Sequence, residues 1–273
     1  MSARTPLSDN RPQRLAIGMA LGVTDIGPVR DSNEDNFLID AELGLAMVAD
    51  GMGGHQAGEV ASAGALTALR DYLRRHGGHG TAFDSADADA TWSDLAMRAV
   101  ALLHDAIDAA NHALYASNLE RNCADGGGMG TTLCGYWYPP GAVALVLFNV
   151  GDSRLYLQRG GRLEQLTRDQ TLYQQALDAG MFDNLPARNL LLQAVGPSQR
   201  VTPEVRSQLV RPGDVLMLCS DGLHGAVPHG EIEQVLAGAS AATLDADCAR
   251  LIALATRYGG RDNVTVLLTC CPP

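Results

Sequence analysis

The sequence contains no lysine, and all 20 of its basic residues are therefore arginine. Walker A phosphate loops, Schiff-base chemistry and lysine general bases all need an ε-amino group, so these classes are excluded. The 31 acidic residues outnumber the arginines and give a formal net charge of -11. Because phosphate backbones are bound by basic patches, we do not expect nucleic acid as a partner.

Signals for export, membrane insertion and zinc binding are also missing. The polar N-terminus carries no apolar leader, and no apolar run reaches about 18 residues. The six cysteines form no CxxC pair, which argues against a zinc site. We therefore predict a cytoplasmic protein with no membrane partner. Aromatic residues are scarce, at 5%, but hydrophobic residues make up 46%, which is enough for a full core.

The hydrophobic pattern predicts an α+β protein. Strand-like segments come first, two long helical patterns start near residues 57 and 92, and strands return before short helices and a last strand. Strands do not alternate singly with helices, so antiparallel sheets with helices stacked outside them fit better than a doubly wound parallel sheet. Residues 1–14 are predicted to be a disordered tail before one domain at 15–273. Residues 182–197 are predicted to be a connector with a helical turn.

Acidic residues stand beside apolar strands at four places in the chain. They are Glu34 and Asp35 before "NFLID", Asp50 at the end of "LGLAMVAD", Asp221 at the end of "DVLMLCSD", and Asp262 before "NVTVLLTC". Taken singly, the Asp-Gly pairs at Asp50 and Asp221 are more typical of tight hairpin turns than of metal ligands. If the fold brings the acids together, like charges 4 Å apart repel by about 4 kcal/mol at an effective dielectric of about 20. Bound cations or protonation would relieve this repulsion, and oxygen-only ligands favour Mg²⁺ or Mn²⁺.

Arg30 lies four residues before Glu34, in "VRDSNED". A planar guanidinium can hold two phosphate oxygens at once. By itself, Arg30 is better explained as a surface arginine.

Seven segments in a fixed order resemble the PPM-type, or type 2C, metal-dependent serine/threonine protein phosphatases in their bacterial form. The segments are "VRDSNEDNF", "VADGMGGHQAGEVAS", "GMGTTL", "NVGDSRLYL", "LTRDQT", "LCSDGL" and "GGRDNVTVLL". The resemblance covers residues 15–270 and implies an αββα sandwich, in which helix pairs flank two antiparallel sheets. It also implies a site with two Mg²⁺ or Mn²⁺ ions in a cleft at one end of the sheets.

The resemblance implies a role for each matching residue. The implied metal ligands are Asp50 bridging both ions, the Gly51 carbonyl on one ion, Asp221 and Asp262 on the other, and Glu34 through water with Asp35 in support. Arg30 is expected to bind the substrate phosphate. Supporting or structural roles are expected for Asn263 and Asp152, and core strand positions for Thr131 and Thr132.

The sequence departs from the family pattern at three places. Met52 follows the Asp-Gly pair where many members carry histidine, and Gln170 stands where histidine is common. Gly127 occupies the usual position of a third-metal aspartate, so two ions are expected and Asp125 is the candidate for a third. The segment at 173–193 is also atypical.

Other phosphatase classes fit less well. Cysteine phosphatases need an arginine six positions after the cysteine, which no cysteine here has. The "DADAT" segment at 87–91 matches an aspartyl-nucleophile motif but does not end an apolar strand. A nucleotide-binding module is also disfavoured. The "GGGMGTT" segment could be its phosphate-binding loop, but it has no lysine, and a strand rather than a helix is predicted to follow it.

We therefore predict a monomeric, Mg²⁺/Mn²⁺-dependent hydrolase of phosphoserine and phosphothreonine in proteins that opposes a bacterial serine/threonine kinase. The alternative is a pseudophosphatase that only binds phosphoproteins.

Overall fold

A computed structural model describes residues 7–53, 57–77 and 92–273. The strands are β1 Gln13–Leu15, β2 Gly18–Asp25, β3 Asp35–Asp40, β4 Leu45–Met52, β5 Gly130–Thr131, β6 Leu133–Trp137, β7 Leu145–Val150, β8 Arg154–Arg159, β9 Arg162–Gln165, β10 Glu204–Gln208, β11 Val215–Cys219 and β12 Val264–Cys270. The helices are α1 Ala57–His76, α2 Trp92–Glu120, α3 Leu172–Asp178, α4 Asp221–His224, α5 His229–Leu236 and α6 Leu244–Arg257. The "DADAT" segment at 87–91 lies outside the described residues.

The strands form two antiparallel sheets. The first sheet has the order β1-β2-β12-β11-β8-β9, and the second has the order β10-β7-β6-β4-β3, with the short β5 paired to β4. The central strands are mostly apolar, as expected where both faces of each sheet are covered. All six residues of β7, "LVLFNV", are buried, for example. Such continuous apolar runs are typical of doubly covered sheets.

Three apolar clusters fill the spaces between four layers. One cluster joins the second sheet to α1 and α2, another joins the first sheet to α4, α5 and α6, and the third lies between the sheets. Helix α1 contributes a face of small and branched residues spaced by three and four, namely Ala61, Ala65, Leu66, Leu69 and Leu73. The predicted αββα sandwich is therefore confirmed.

The start of the chain differs from the prediction in detail. The apolar segment "LAIGMALGVT" predicts a single first strand, but the chain turns after β1 and β2 runs back beside it. Within the predicted tail, Ser8 contacts the second sheet, since it is buried and its hydroxyl accepts a 2.9 Å hydrogen bond from the Ile39 amide, and Gln13 and Arg14 pair with β2 in the first sheet.

The connector at 182–197 contains no helical turn. Instead it runs back beside the residues that precede α3, where Thr171 and Leu191 form an isolated bridge. Strand β10 and the short helix α4 were not predicted. No helix in the described ranges is both long enough and apolar enough to cross a membrane.

Candidate metal centre

An open cleft of about 590 Å³ lies where β4 and β11 end and β3 and β12 begin. Its lining contains most of the residues singled out in the sequence: Arg30, Glu34, Asp50, Gly51, Asp221 and Asp262. Asp152 and Asn263, expected to support the site, also line it. The fold thus brings residues more than 200 positions apart to one place.

The Asp-Gly pairs do not form hairpin turns. Asp50 and Gly51 lie inside β4, and Asp221 and Gly222 form the first turn of α4. The interpretation of these pairs as turns between strands is therefore wrong.

Strand pairing sets two of the carboxylates side by side. Asp35 lies directly opposite Asp50 in the antiparallel β3–β4 pair. Side chains of directly opposite residues have Cβ atoms about 4.5–5.5 Å apart, and like charges at such positions destabilise a sheet. This pairing was not predicted, because the sequence alone does not reveal the register.

Asp35 is held by a hydroxyl and not by a cation. It is buried, and its Oδ2 accepts a 2.6 Å hydrogen bond from the Ser220 hydroxyl. The same Ser220 oxygen accepts a hydrogen bond from the Thr265 amide, which fixes its orientation. Burial raises the pKa of Asp35 from 3.8 to about 7, in spite of the hydrogen bonds from Ser220 and Thr265. The other oxygen, Oδ1, has no hydrogen-bond partner among the described residues.

Two threonines fix the backbone of Asp50. The Asp50 amide donates to the Thr132 hydroxyl at 2.9 Å, and the Thr131 hydroxyl donates to the Asp50 carbonyl at 2.9 Å. Both threonines are buried, as predicted for core strand residues, but their direct contact with Asp50 was not anticipated. In the sequence, the "GMGTTL" segment is the feature that could have indicated this contact.

The remaining buried carboxyls raise one another's pKa. Burial and then the charge of Asp35 raise the pKa of Asp50 well above its ordinary value. Burial and then the charge of Asp262 raise the pKa of Asp221. Burial and then the charge of Asp221 raise the pKa of Asp152 to about 7. Full ionisation of these three carboxyls is therefore unfavourable in the absence of a bound cation.

Hydrogen bonds and close backbone contacts hold Glu34 in place. Its amide donates to Asn263 Oδ1 at 2.9 Å, and its carbonyl accepts from the Ser62 hydroxyl at 2.7 Å and from the Gly51 amide at 3.2 Å. A Cβ on Gly58 would lie 2.6 Å from the Glu34 carboxyl carbon, and one on Gly51 would lie 2.0 Å from the Gly58 carbonyl oxygen. Only glycine fits these two positions without moving the chain.

Arg30 reaches the site from its exposed rim. Its Nη2 donates to Asp262 Oδ2 at 2.7 Å, and its Nε donates to the carbonyl of Arg261 at 3.3 Å. Because half of the Arg30 side chain stays exposed, the guanidinium remains accessible from the cleft.

The structure shows the surroundings of two of the departures from the family pattern, and one prediction stays untested. Gln170 joins neighbouring segments, since its Oε1 accepts from the Gly151 amide and its Nε2 donates to the Thr202 carbonyl. Met52 ends β4 and lines the cleft. Asp125 is exposed and does not line the cleft, so its role as a ligand of a third ion stays a prediction.

The donor set fits hard divalent cations, although its side chains are not in ligand positions as they stand. In the ranges the structure describes, no three His, Cys, Asp or Glu side chains are grouped closely enough to hold an ion. Yet the buried Oδ1 atoms of Asp35 and Asp221 both have no hydrogen-bond partner. Buried carboxylate oxygens normally have partners, so these two atoms suit a cation.

Comparisons with known proteins agree with this geometry. The family described as Protein phosphatase 2C matches residues 29–247. The serine/threonine phosphatase stp of Listeria innocua is 38% identical over 256 residues, covering 90% of this chain and 92% of that protein. PstP of Mycobacterium tuberculosis is 38% identical over 250 residues, which is 90% of this chain but 43% of the longer relative.

Solved structures share the fold. The catalytic domain of the serine/threonine protein phosphatase PstP, in complex with two manganese ions, superposes with a TM-score of 0.74 and 35% identity. The match covers 93% of this chain and 98% of that one.

Proposed function

This chain belongs to the protein phosphatase 2C family and is a metal-dependent serine/threonine phosphatase, and from that premise we propose that residues 15–273 form its catalytic domain and that the acidic cleft is its active site. The observation that carries the proposal is the convergence of Asp35, Asp50 and Asp221, in which each carboxyl has a raised pKa and two buried oxygens have no partner.

The proposed ligand set follows the family roles. Asp50, the Gly51 carbonyl, Asp221 and Asp262 would hold the ions directly, Glu34 would hold its ion through water, and Asp35 would support them. The count of two Mg²⁺ or Mn²⁺ ions is supported by the two manganese ions of the PstP domain. When bound, such ions supply the positive charge that lowers the pKa of an attacking water and stabilises the phosphoryl oxygens.

The residues of this chain supply position and selectivity. Thr131 and Thr132 fix the direction of the Asp50 backbone, and Asn263 fixes Glu34. Arg30 presents a planar pair of N–H donors at the rim of the cleft, where it binds the phosphate of the substrate.

Asp50→Asn tests the proposal. The substitution keeps the size of the side chain but removes the charge that two ions would share. We expect nearly all Mn²⁺-dependent hydrolysis of p-nitrophenyl phosphate to be lost, while the thermal unfolding of the metal-free protein stays similar or rises. Asp105→Asn, an exposed carboxylate on α2, is the matched control and should keep its turnover.

Unaltered turnover in the Asp50→Asn protein would refute the assignment. Wild-type protein that binds phosphoproteins but hydrolyses no phosphoester with Mn²⁺ would instead support a pseudophosphatase. Hydrolysis at full rate in EDTA would contradict the requirement for metal.

The substrates are phosphorylated proteins, and we propose that a bacterial serine/threonine kinase produces them in the cytoplasm. All six cysteines are free, which is typical of a reducing compartment. We also propose a monomer, which size-exclusion chromatography with light scattering would test.

A further inference from the structure

A second cavity opens beside the proposed catalytic cleft. It has a volume of about 260 Å³ and shares Asp152, Asn189 and Asp221 with the cleft. Its outer wall comes from α3 and the chain after it, where Tyr173 and Arg188 lie. A substrate segment with its phosphate in the cleft would therefore pass close to this cavity.

Arg188 is an exposed cation without an acidic partner. Its guanidinium carbon lies 4.4 Å from the centre of the Tyr173 ring, and Nη2 donates to the Tyr173 hydroxyl oxygen at 3.0 Å. No ion pair joins it to a carboxylate in the part of the chain that the structure describes. Stacking on an aromatic ring restricts the side chain while leaving N–H donors available.

The backbone that presents Arg188 is well supported. The Leu172 amide donates to the Leu190 carbonyl at 2.9 Å, and the Leu192 amide donates to the Gln170 carbonyl at 2.7 Å. Thr171 caps α3 by accepting from the Gln174 amide, and this fixes the turn that carries Tyr173. The stacked pair is thus held by two segments that run antiparallel to each other.

The other arginine of the cavity is already neutralised. Arg154 makes two hydrogen bonds with the Asp169 carboxylate, at 2.8 and 2.6 Å. The free positive charge of the cavity is therefore that of Arg188. It stands at the edge of a cleft rich in carboxylates, on a protein with a net charge of -11. An acidic substrate segment would be repelled from most of this surface, so one exposed cation can decide where it binds.

We propose that the cavity lined by Tyr173 and Arg188 binds a second anionic group of the phosphoprotein substrate, a carboxylate or phosphate close in sequence to the phosphorylated residue. Both groups present two oxygens that match the planar N–H donors of a guanidinium. Arg188 is then a specificity-determining residue, and Tyr173 is a positioning residue. The inference rests on the proposed function, because it assumes that the neighbouring cleft binds the phosphate to be hydrolysed.

Phosphothreonine peptides that differ in one flanking residue test this proposal. The flanking residue, placed on either side of the phosphothreonine, is aspartate, phosphoserine, alanine or arginine, and kcat/KM is measured with Mn²⁺. Wild-type protein should prefer an acid-flanked peptide over the alanine-flanked one by about three- to tenfold, the range of a partly exposed charged contact. Arg188→Ala should remove this preference, and Arg188→Glu should reverse it in favour of the arginine-flanked peptide.

Arg200→Ala is the matched control, because Arg200 is also exposed but does not line the cavity. It should keep the wild-type preference. A larger preference for phosphoserine than for aspartate would identify the anionic group as a second phosphate, and equal preferences would identify acidic residues generally.

The outcomes separate this inference from the proposed function. Equal kcat/KM for all peptides in the wild type, or the same preference after Arg188→Glu, would overturn the subsite while leaving the phosphatase assignment intact. Loss of the preference in Arg200→Ala would also overturn it. Failure of the wild type to hydrolyse p-nitrophenyl phosphate or any peptide with Mn²⁺ would overturn both.

Discussion

Replacing Asp35 with asparagine should stabilise the metal-free protein. The substitution keeps the shape of the side chain and an oxygen that can accept from Ser220, but it removes a buried negative charge opposite Asp50. In the metal-free wild type that charge has no cation to offset it.

The size of the effect follows from the pKa of Asp35, which rises from 3.8 to about 7 on folding. The folded protein holds this proton more tightly than the unfolded chain, so stability is full below about pH 4 and is lost as the pH rises to about 7. At about 1.4 kcal/mol per pH unit, the Asp35 carboxyl lowers the free energy of unfolding by about 2 kcal/mol at about pH 5.5, where the folded protein still holds the proton, and by about 4 kcal/mol at about pH 8, where the folded carboxyl is mostly ionised. Asp35→Asn removes this loss.

Thermal unfolding in EDTA, followed by circular dichroism at these two pH values, measures the difference. The Asp35→Asn protein should melt higher than the wild type at both values, by up to about 10 °C at the higher pH. The gap should shrink when Mn²⁺ is added, because bound ions offset the same charge. Asp105→Asn should show no such dependence on pH. A variant that melts below the wild type in EDTA at the higher pH would refute the reasoning.

Two further substitutions test Arg30 at the edge of the cleft and Gly58 beside Glu34. Arg30→Ala should raise KM for phosphopeptides more than it lowers kcat, because we propose that the guanidinium binds the substrate phosphate, and a normal KM in steady-state assays would contradict that role. Gly58→Ala should raise the Mn²⁺ concentration for half-maximal activity by about tenfold, as changes beside metal ligands commonly do, because its Cβ would lie 2.6 Å from the Glu34 carboxyl carbon. Gly64→Ala on the same helix is the control: its Cβ would lie 3.4 Å from Leu114, so it should keep metal affinity and gain about 0.5–1 kcal/mol of stability.

The layers of the fold could be predicted because they depend on local patterns. The apolar strands and the spacing of apolar residues by three and four in α1 can be recognised in short segments of sequence. The motifs around Asp50 and Asp221 have a fixed order. The irregular path at 182–197 could not be predicted, because it depends on the pairing of Leu191 with Thr171, which the local sequence of the segment does not reveal.

The supporting contacts of the site could not be predicted for a related reason. Ser220 reaches Asp35 across 185 positions, and Asn263 reaches Glu34 across 229. The family resemblance implied a supporting role for Asn263, but serine, threonine and asparagine are common in loops and strands, so the local sequence does not show which acidic residue each one contacts. Their roles appear only once the register of β3, β4, β11 and β12 is known.

The chemistry of these supports explains why the acidic cluster suits cations. A fold could have neutralised its buried carboxylates with arginines, as Arg154 does for Asp169 in the neighbouring cavity. The Asp35 carboxylate instead accepts from the Ser220 hydroxyl, and Thr131 and Thr132 hold the backbone of Asp50, so these contacts fix both residues without cancelling their charge. A site built in this way is unfavourable when empty, because its carboxyls must bind protons or repel one another. The same arrangement leaves the negative charge available to divalent ions, so the stability lost in the metal-free protein is the counterpart of its affinity for metal.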